Sequence, residues 1–172
     1  FKLLREEGRD DLIYSMTSKT SYPSWGYMKE NGATTIWEMW EKDLPGHSLM
    51  HSSYLYPGAW YIDGVAGIRR DPEHPGFRRF VIRPLKVSAT PMQWAKASFD
   101  SPVGRIVSHW SRRNGRLELY ITVPPNSIAT LELDLFEKID ISTYPGVTDL
   151  GEDGNWHRYI LPPGSYKLAQ AQ

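Results

Sequence analysis

Ile106-Val107-Ser108-His109-Trp110-Ser111-Arg112 and Arg116-Leu117-Glu118-Leu119-Tyr120-Ile121-Thr122-Val123 are two runs separated by Arg113-Asn114-Gly115. In the second run apolar and polar residues alternate, which places successive side chains on opposite faces of a strand. Asn-Gly supplies the two positive-φ residues of a type I′ hairpin turn. The stretch therefore predicts a pair of antiparallel strands. Further along, Ala129, Leu131, Leu133 and Leu135 alternate with Thr130, Glu132 and Asp134. Strands are also predicted at Phe80–Arg83, Gln93–Phe99, Ile139–Thr143, His157–Leu161 and Tyr166–Ala169. Short strands spaced by turns predict an antiparallel β-sandwich over residues 77–172.

Toward the N-terminus the period becomes helical. Residues 1–8 read as the middle or end of a helix, and the chain as the C-terminal piece of something longer. Asp10 or Asp11 suits the cap of a helix reaching Met16. Pro23 suits the first turn of a second helix through Trp25, Tyr27 and Met28, with Gly32 as its left-handed stop. Leu55, Ala59, Ile62 and Ala66 mark one face of a third helix ending near Ile68, in which Gly58, Gly64 and Gly67 suggest close approach to another helix. The proline-punctuated stretch Arg69–Gly76 reads as a linker. The expected organisation is a helical segment over 1–70, a linker over 71–76 and the sandwich beyond: mainly β with an α-helical start.

Composition narrows the function. Lys plus Arg and Asp plus Glu are both 20, so the formal net charge is zero and nothing marks a grip on a phosphate backbone. Cysteine is absent, which removes thiol nucleophiles, disulfides and Cys-ligated metals. No apolar run approaches the ~20 residues needed to span a bilayer. No phosphate loop, nucleophile elbow or dinucleotide fingerprint occurs. The unusual feature is 7 Trp, 10 Tyr and 5 Phe in 172 residues. Rings at that density either fill a core or line a groove that stacks on sugar faces.

The densest chemistry lies in Thr34-Thr35-Ile36-Trp37-Glu38-Met39-Trp40. A carboxylate between two tryptophans must be desolvated or hydrogen-bonded, and desolvation raises its pKa toward the range of proton transfer. Glu38 is then an acid or base in an aromatic-walled site. Alternatively it pairs with a surface cation while the tryptophans pack. His47 and His51 are four apart, but Pro45-Gly46 indicates a loop rather than a metal-binding helix face. His51 is a polar ligand contact or a structural histidine. Trp94, Trp110 and Trp156 are either a binding face of the sandwich or its core.

Several motifs in order carry a resemblance. Tyr22-Pro23-Ser24-Trp25-Gly26-Tyr27-Met28, then Gly32-Ala33-Thr34-Thr35-Ile36-Trp37-Glu38, Met50-His51, Gly58-Ala59-Trp60, Val65-Ala66-Gly67-Ile68, Gly76-Phe77 and Ile82-Arg83-Pro84 resemble the bacterial α-L-rhamnosidases of glycoside hydrolase family 78. The resemblance is dense over residues 14–86. It implies the last helices of a catalytic (α/α)₆ barrel followed by a C-terminal β-sandwich. It implies Glu38 as the general base of an inverting hydrolysis, His51 as a sugar contact, and Trp25, Trp37 and Trp40 as substrate-binding rings, with no metal or cofactor. In this chain Met50 stands where the family has Asn before that histidine. The general acid is expected on earlier barrel helices outside this chain, leaving the isolated chain inactive. The implied partners are glycosides or polysaccharides bearing L-rhamnose, with no nucleic acid and no membrane, and the expected location is periplasmic or extracellular. Apolar residues of the helical segment without a barrel to cover them suggest self-association. The rival from another class is a free-standing carbohydrate-binding or interaction domain, and a third reading is another (α/α)₆ glycosidase or lyase.

Overall fold

The computed structural model describes residues 1–52, 54–86 and 90–171. The chain forms two compact units, Phe1–Tyr61 and Ile62–Gln172.

The first unit holds short helices: α1 (Lys2–Glu6), α2 (Asp10–Ser18), α3 (Trp25–Glu30) and α4 (Tyr56–Ala59). Asp10 and Asp11 occupy the first turn of α2 rather than its cap, which is Arg9. There they complement the positive end of the helix dipole. Pro23 likewise lies before α3, whose cap is Ser24; the Ser24 Oγ accepts the Tyr27 N–H at 3.0 Å. Ile13, Met28, Trp37, Pro57 and Trp60 are buried apolar side chains of this unit, and the Trp60 Nε1–H donates to Asp10 at 2.7 Å.

The helix expected through Leu55, Ala59, Ile62 and Ala66 is not a continuous α-helix. After the single turn α4 the chain widens into a π-helical turn, Trp60–Val65, and becomes strand β1 (Ile68–Arg70). Of the face the spacing marked, only Ala66 is buried; Leu55, Ala59 and Ile62 are exposed, and Trp60 and Val65 pack in their place. Gly67, at φ +82°, approaches the main chain at Arg83 and Pro84, just past the end of a strand, rather than a helix, since a Cβ there would lie 2.1 Å from the Arg83 carbonyl oxygen. Gly58 faces open space.

The second unit is a two-sheet β structure. One sheet has the order β1 (Ile68–Arg70), β2 (Arg79–Ile82), β6 (Ile128–Asp134), β8 (Trp156–Leu161), β7 (Thr148–Asp153). The other runs β3 (Trp94–Ser101), β4 (Gly104–Arg113), β5 (Arg116–Val123), β9 (Gly164–Ala169). Pairing is antiparallel except between β2 and β6, which are parallel. The β4–β5 turn is the expected one, with φ +52° at Asn114 and +76° at Gly115. The stretch 71–76, read as an interdomain linker, instead connects β1 to β2 inside this unit. Ile139 makes only an isolated bridge to Gln170, so the strand expected over 139–143 is absent.

Alternation along the strands builds the core. Phe80, Ile82, Leu131, Leu133, Tyr159 and Leu161 are buried on one sheet, and Ile106, Trp110, Leu117, Leu119 and Ile121 on the other. Phe77 contacts a ring from each sheet, Phe80 at 6.2 Å and Phe99 at 4.8 Å. Trp110 is core and donates its Nε1–H to the Val65 carbonyl at 2.8 Å. The Trp156 ring is covered by Arg83 and Lys86, 4.5 and 4.2 Å from its centre. Three tryptophans therefore do not make one binding face; Trp94 alone of them is exposed, at 64%. A buried ion pair, Arg112 Nε to Glu137 Oε1 at 2.6 Å, closes this core, and Arg112 also donates to the Leu85 carbonyl.

Candidate functional site

The Thr-Thr-Ile-Trp-Glu stretch is neither helix nor strand, yet its backbone is fixed by a second segment. His51 N–H donates to the Ile36 carbonyl at 2.8 Å, and Glu38 N–H donates to the Ser48 carbonyl at 3.0 Å. The Thr35 hydroxyl donates to the Leu49 carbonyl. These bonds bring residues 35–38 against 48–51, and with them the carboxylate and both histidines into one region.

Glu38 accepts the Ser48 N–H on Oε2 at 2.8 Å, and His47 Nδ1 lies 3.9 Å from the same oxygen. The backbone hydrogen bond from Ser48 holds the carboxyl below the usual glutamate value, against partial desolvation, with the charges of His51 and His47 adding to it. This reverses the expectation that its aromatic neighbours raise the pKa. The side chain is 34% exposed, so the donated N–H outweighs desolvation. A carboxylate held ionised at neutral pH suits a proton acceptor rather than a donor.

An open cleft of about 730 Å³ is lined by Trp25, Ala33, Thr35, Ile36, Met50 and His51, among others. Glu38 is not one of its lining residues; it follows Ile36 by two positions on the segment that forms one wall. Trp25 is half-buried, and its Nε1–H donates to the Tyr54 carbonyl at 2.9 Å. Trp40 sits edge-on to Trp25 at 5.4 Å and stacks on Tyr54 at 4.5 Å. The structure thus gathers Trp25 and His51 at the cleft, Trp40 behind Trp25, and Glu38 joined to the same paired segments. Trp37 differs: it is 2% exposed, and a ring that buried has no face for a sugar. It packs the unit and anchors the chain beside Glu38. Sequence reading missed Ser48, whose contribution is a main-chain donor and leaves no residue-type signal. Among the described residues no cluster of three His, Asp or Glu side chains is arranged to hold a metal ion.

Residues 1–65 match the bacterial alpha-L-rhamnosidase 6 hairpin glycosidase domain, and residues 67–143 match the bacterial alpha-L-rhamnosidase C-terminal domain. The chain belongs to the bacterial α-L-rhamnosidase family. An α-L-rhamnosidase from Formosa agariphila is 34% identical over 182 residues, covering 97% of this chain and 19% of the relative. One from Alteromonas sp. (strain LOR) is 35% identical over 132 residues, covering 72% of this chain and 14% of the relative. The crystal structure of Streptomyces avermitilis α-L-rhamnosidase complexed with L-rhamnose is similar with a TM-score of 0.82 at 26% identity, over 99% of this chain and 17% of that one. The chain therefore spans between 14% and 19% of the length of these rhamnosidases. The two family domains meet between residues 65 and 67, close to the structural division after Tyr61.

Proposed function

We propose that this chain supplies the catalytic base and part of the sugar site of an α-L-rhamnosidase that hydrolyses terminal α-L-rhamnosyl residues with inversion. Glu38 takes the proton from the attacking water. His51 hydrogen-bonds the sugar, Trp25 walls the cleft, and Trp40 supports Trp25. An inverting glycosidase places two carboxyl groups about 6.5–9.5 Å apart, leaving room for the water between base and substrate. The acid that protonates the leaving oxygen comes from outside these 172 residues. The observation that carries the reading is the Ser48 N–H on Glu38 Oε2 at 2.8 Å, which holds the carboxylate in direction and favours its ionised form on the segment whose Ile36 lines the cleft.

The test is Glu38→Gln in the full-length enzyme. Turnover should fall roughly 10²-fold or more, because base catalysis typically contributes 10²–10⁴, while affinity for rhamnose is retained. Azide, which needs no deprotonation, should restore turnover and give the β-glycosyl azide. Near-normal turnover in Glu38→Gln would overturn the assignment.

A further inference from the structure

The outer face of the sheet β3-β4-β5-β9 is built differently from an ordinary solvated surface. The alternation that buries Ile106, Trp110, Leu119, Ile121 and Leu168 turns the intervening residues outward. The strand register sets them in rows. Lys96, His109, Tyr120 and Lys167 are successive partners in one row, and Trp94, Ser111, Glu118 and Ala169 in the next. With strands about 4.8 Å apart, the backbone positions of the two lysines that close the first row stand about 14 Å from each other. An open depression of about 760 Å³ covers both rows.

Two features of this face call for a ligand. Trp94 is 64% exposed and Tyr120 39%, with the His109 ring 5.7 Å from Tyr120, so flat apolar ring surface is presented between charged groups. The charge is also one-sided. Arg113 and Arg116 are direct partners at the hairpin end, and like charges so placed destabilise a sheet unless an anion lies between them. Among the described residues Lys96, Lys167, Arg113 and Arg116 form no ion pair, and Glu118, with the Ser111 hydroxyl at 3.5 Å, is the one carboxylate in these rows. Burial, and then the charge of Lys96, lowers the His109 pKa, leaving at neutral pH a neutral imidazole that both donates and accepts.

We propose that this face is a binding surface for an acidic oligosaccharide, with pyranose rings laid on Trp94 and Tyr120. Carboxylate or sulfate groups are taken by Lys96, Lys167 and the Arg113–Arg116 pair. Aromatic side chains provide large rigid apolar area with little entropy to lose, and the flanking cations give orientation and salt dependence. A nucleic acid is a weaker match because the chain as a whole has zero formal net charge, so no wider basic field supports a long phosphate backbone. The proposal does not rest on the catalytic reading, since Glu38 belongs to the other unit.

The experiment is calorimetric titration of the 172-residue chain with tetragalacturonate, a chondroitin sulfate hexasaccharide, neutral maltohexaose and a single-stranded dodecathymidylate. Saturable binding is expected for at least one acidic sugar, about tenfold tighter than for maltohexaose and weakening with added salt. The carboxylate-only and the sulfated probes separate the two sources of charge. Trp94→Ala, and Lys96→Gln with Lys167→Gln, should each weaken binding about fivefold or more with unchanged melting temperature, because all three side chains are exposed. Glu38→Gln should bind as the parent does. Absence of saturable binding to both acidic sugars, equal affinity for maltohexaose, tighter binding of the oligothymidylate, or full affinity in Trp94→Ala would each overturn the proposal.

Discussion

Glu38 and Ser48 are bonded twice: the Glu38 N–H donates to the Ser48 carbonyl at 3.0 Å, and the Ser48 N–H donates to Glu38 Oε2 at 2.8 Å. One bond ties the two backbones, and the other turns the carboxylate onto the backbone ten residues ahead. The side chain is thereby fixed by main-chain groups, which costs little entropy beyond that already lost in ordering the loop. The same contact depresses the carboxyl pKa. Orientation and ionisation therefore share one cause.

That coupling predicts a pH effect. In the full-length enzyme the acid limb of kcat/KM should lie below the value of an ordinary glutamate, about 4.3. Ser48→Pro removes the N–H and should move the limb upward, whereas Ser48→Ala keeps the donor and should leave it in place. The linkage sign agrees: a depressed carboxyl contributes stability above its unfolded pKa and loses it as pH falls through the folded one. A limb unmoved by Ser48→Pro would separate the hydrogen bond from the ionisation.

The 172-residue chain alone should not hydrolyse an aryl α-L-rhamnoside. Acid and base assistance each contribute about 10²–10⁴, and both need a substrate held in position. Measurable turnover, abolished by Glu38→Gln, would place the acid within this chain.

Glu137→Ala should destabilise the β unit by about 3–5 kcal/mol, because Arg112, with its side chain 2% exposed, would be left as an uncompensated buried charge. Replacing the pair together, Arg112→Met with Glu137→Leu, should recover much of that loss. Denaturant unfolding checks both. A cost below about 1 kcal/mol for Glu137→Ala would mean that water reaches Arg112.

The helical unit leaves Leu3 68%, Met50 75%, Leu55 56% and Tyr56 51% exposed. Self-association of the isolated chain is expected, visible as a sedimentation coefficient that rises with concentration. Met50→Ser with Leu55→Ser should reduce it. A single monomeric species at high concentration would show that these side chains do not drive association.

The sandwich was legible where its information is local. The β4–β5 hairpin needs only the Leu117–Val123 alternation and two residues that accept positive φ at Asn114-Gly115, so neighbours in sequence suffice to specify it. Strands β1 and β7 were not legible. The first is three residues long, and the second is almost wholly exposed and bulged between Asp149 and Gly151, so neither carries an apolar period. The parallel β2–β6 pair joins residues about fifty apart, and no local pattern records which strands become neighbours.

The same division holds for the site. Glu38, its tryptophan neighbours and His51 stand out by residue type and order, so the sequence by itself singled out this stretch, and the resemblance suggested the role proposed for it. Tertiary structure decided which tryptophans face the cleft and which way the carboxyl pKa moves. Trp37 is 2% exposed while Trp25 lines the cleft, a difference set by how the unit packs. It also turned the stretch after α4 into a π-helical turn, burying Trp60 and Val65 in place of Leu55 and Ile62. The pKa of Glu38 follows from a main-chain N–H on residue 48, and a backbone donor is common to every residue but proline. Side-chain identity is written in the sequence, but which backbone group arrives beside it is settled only when distant segments close on each other.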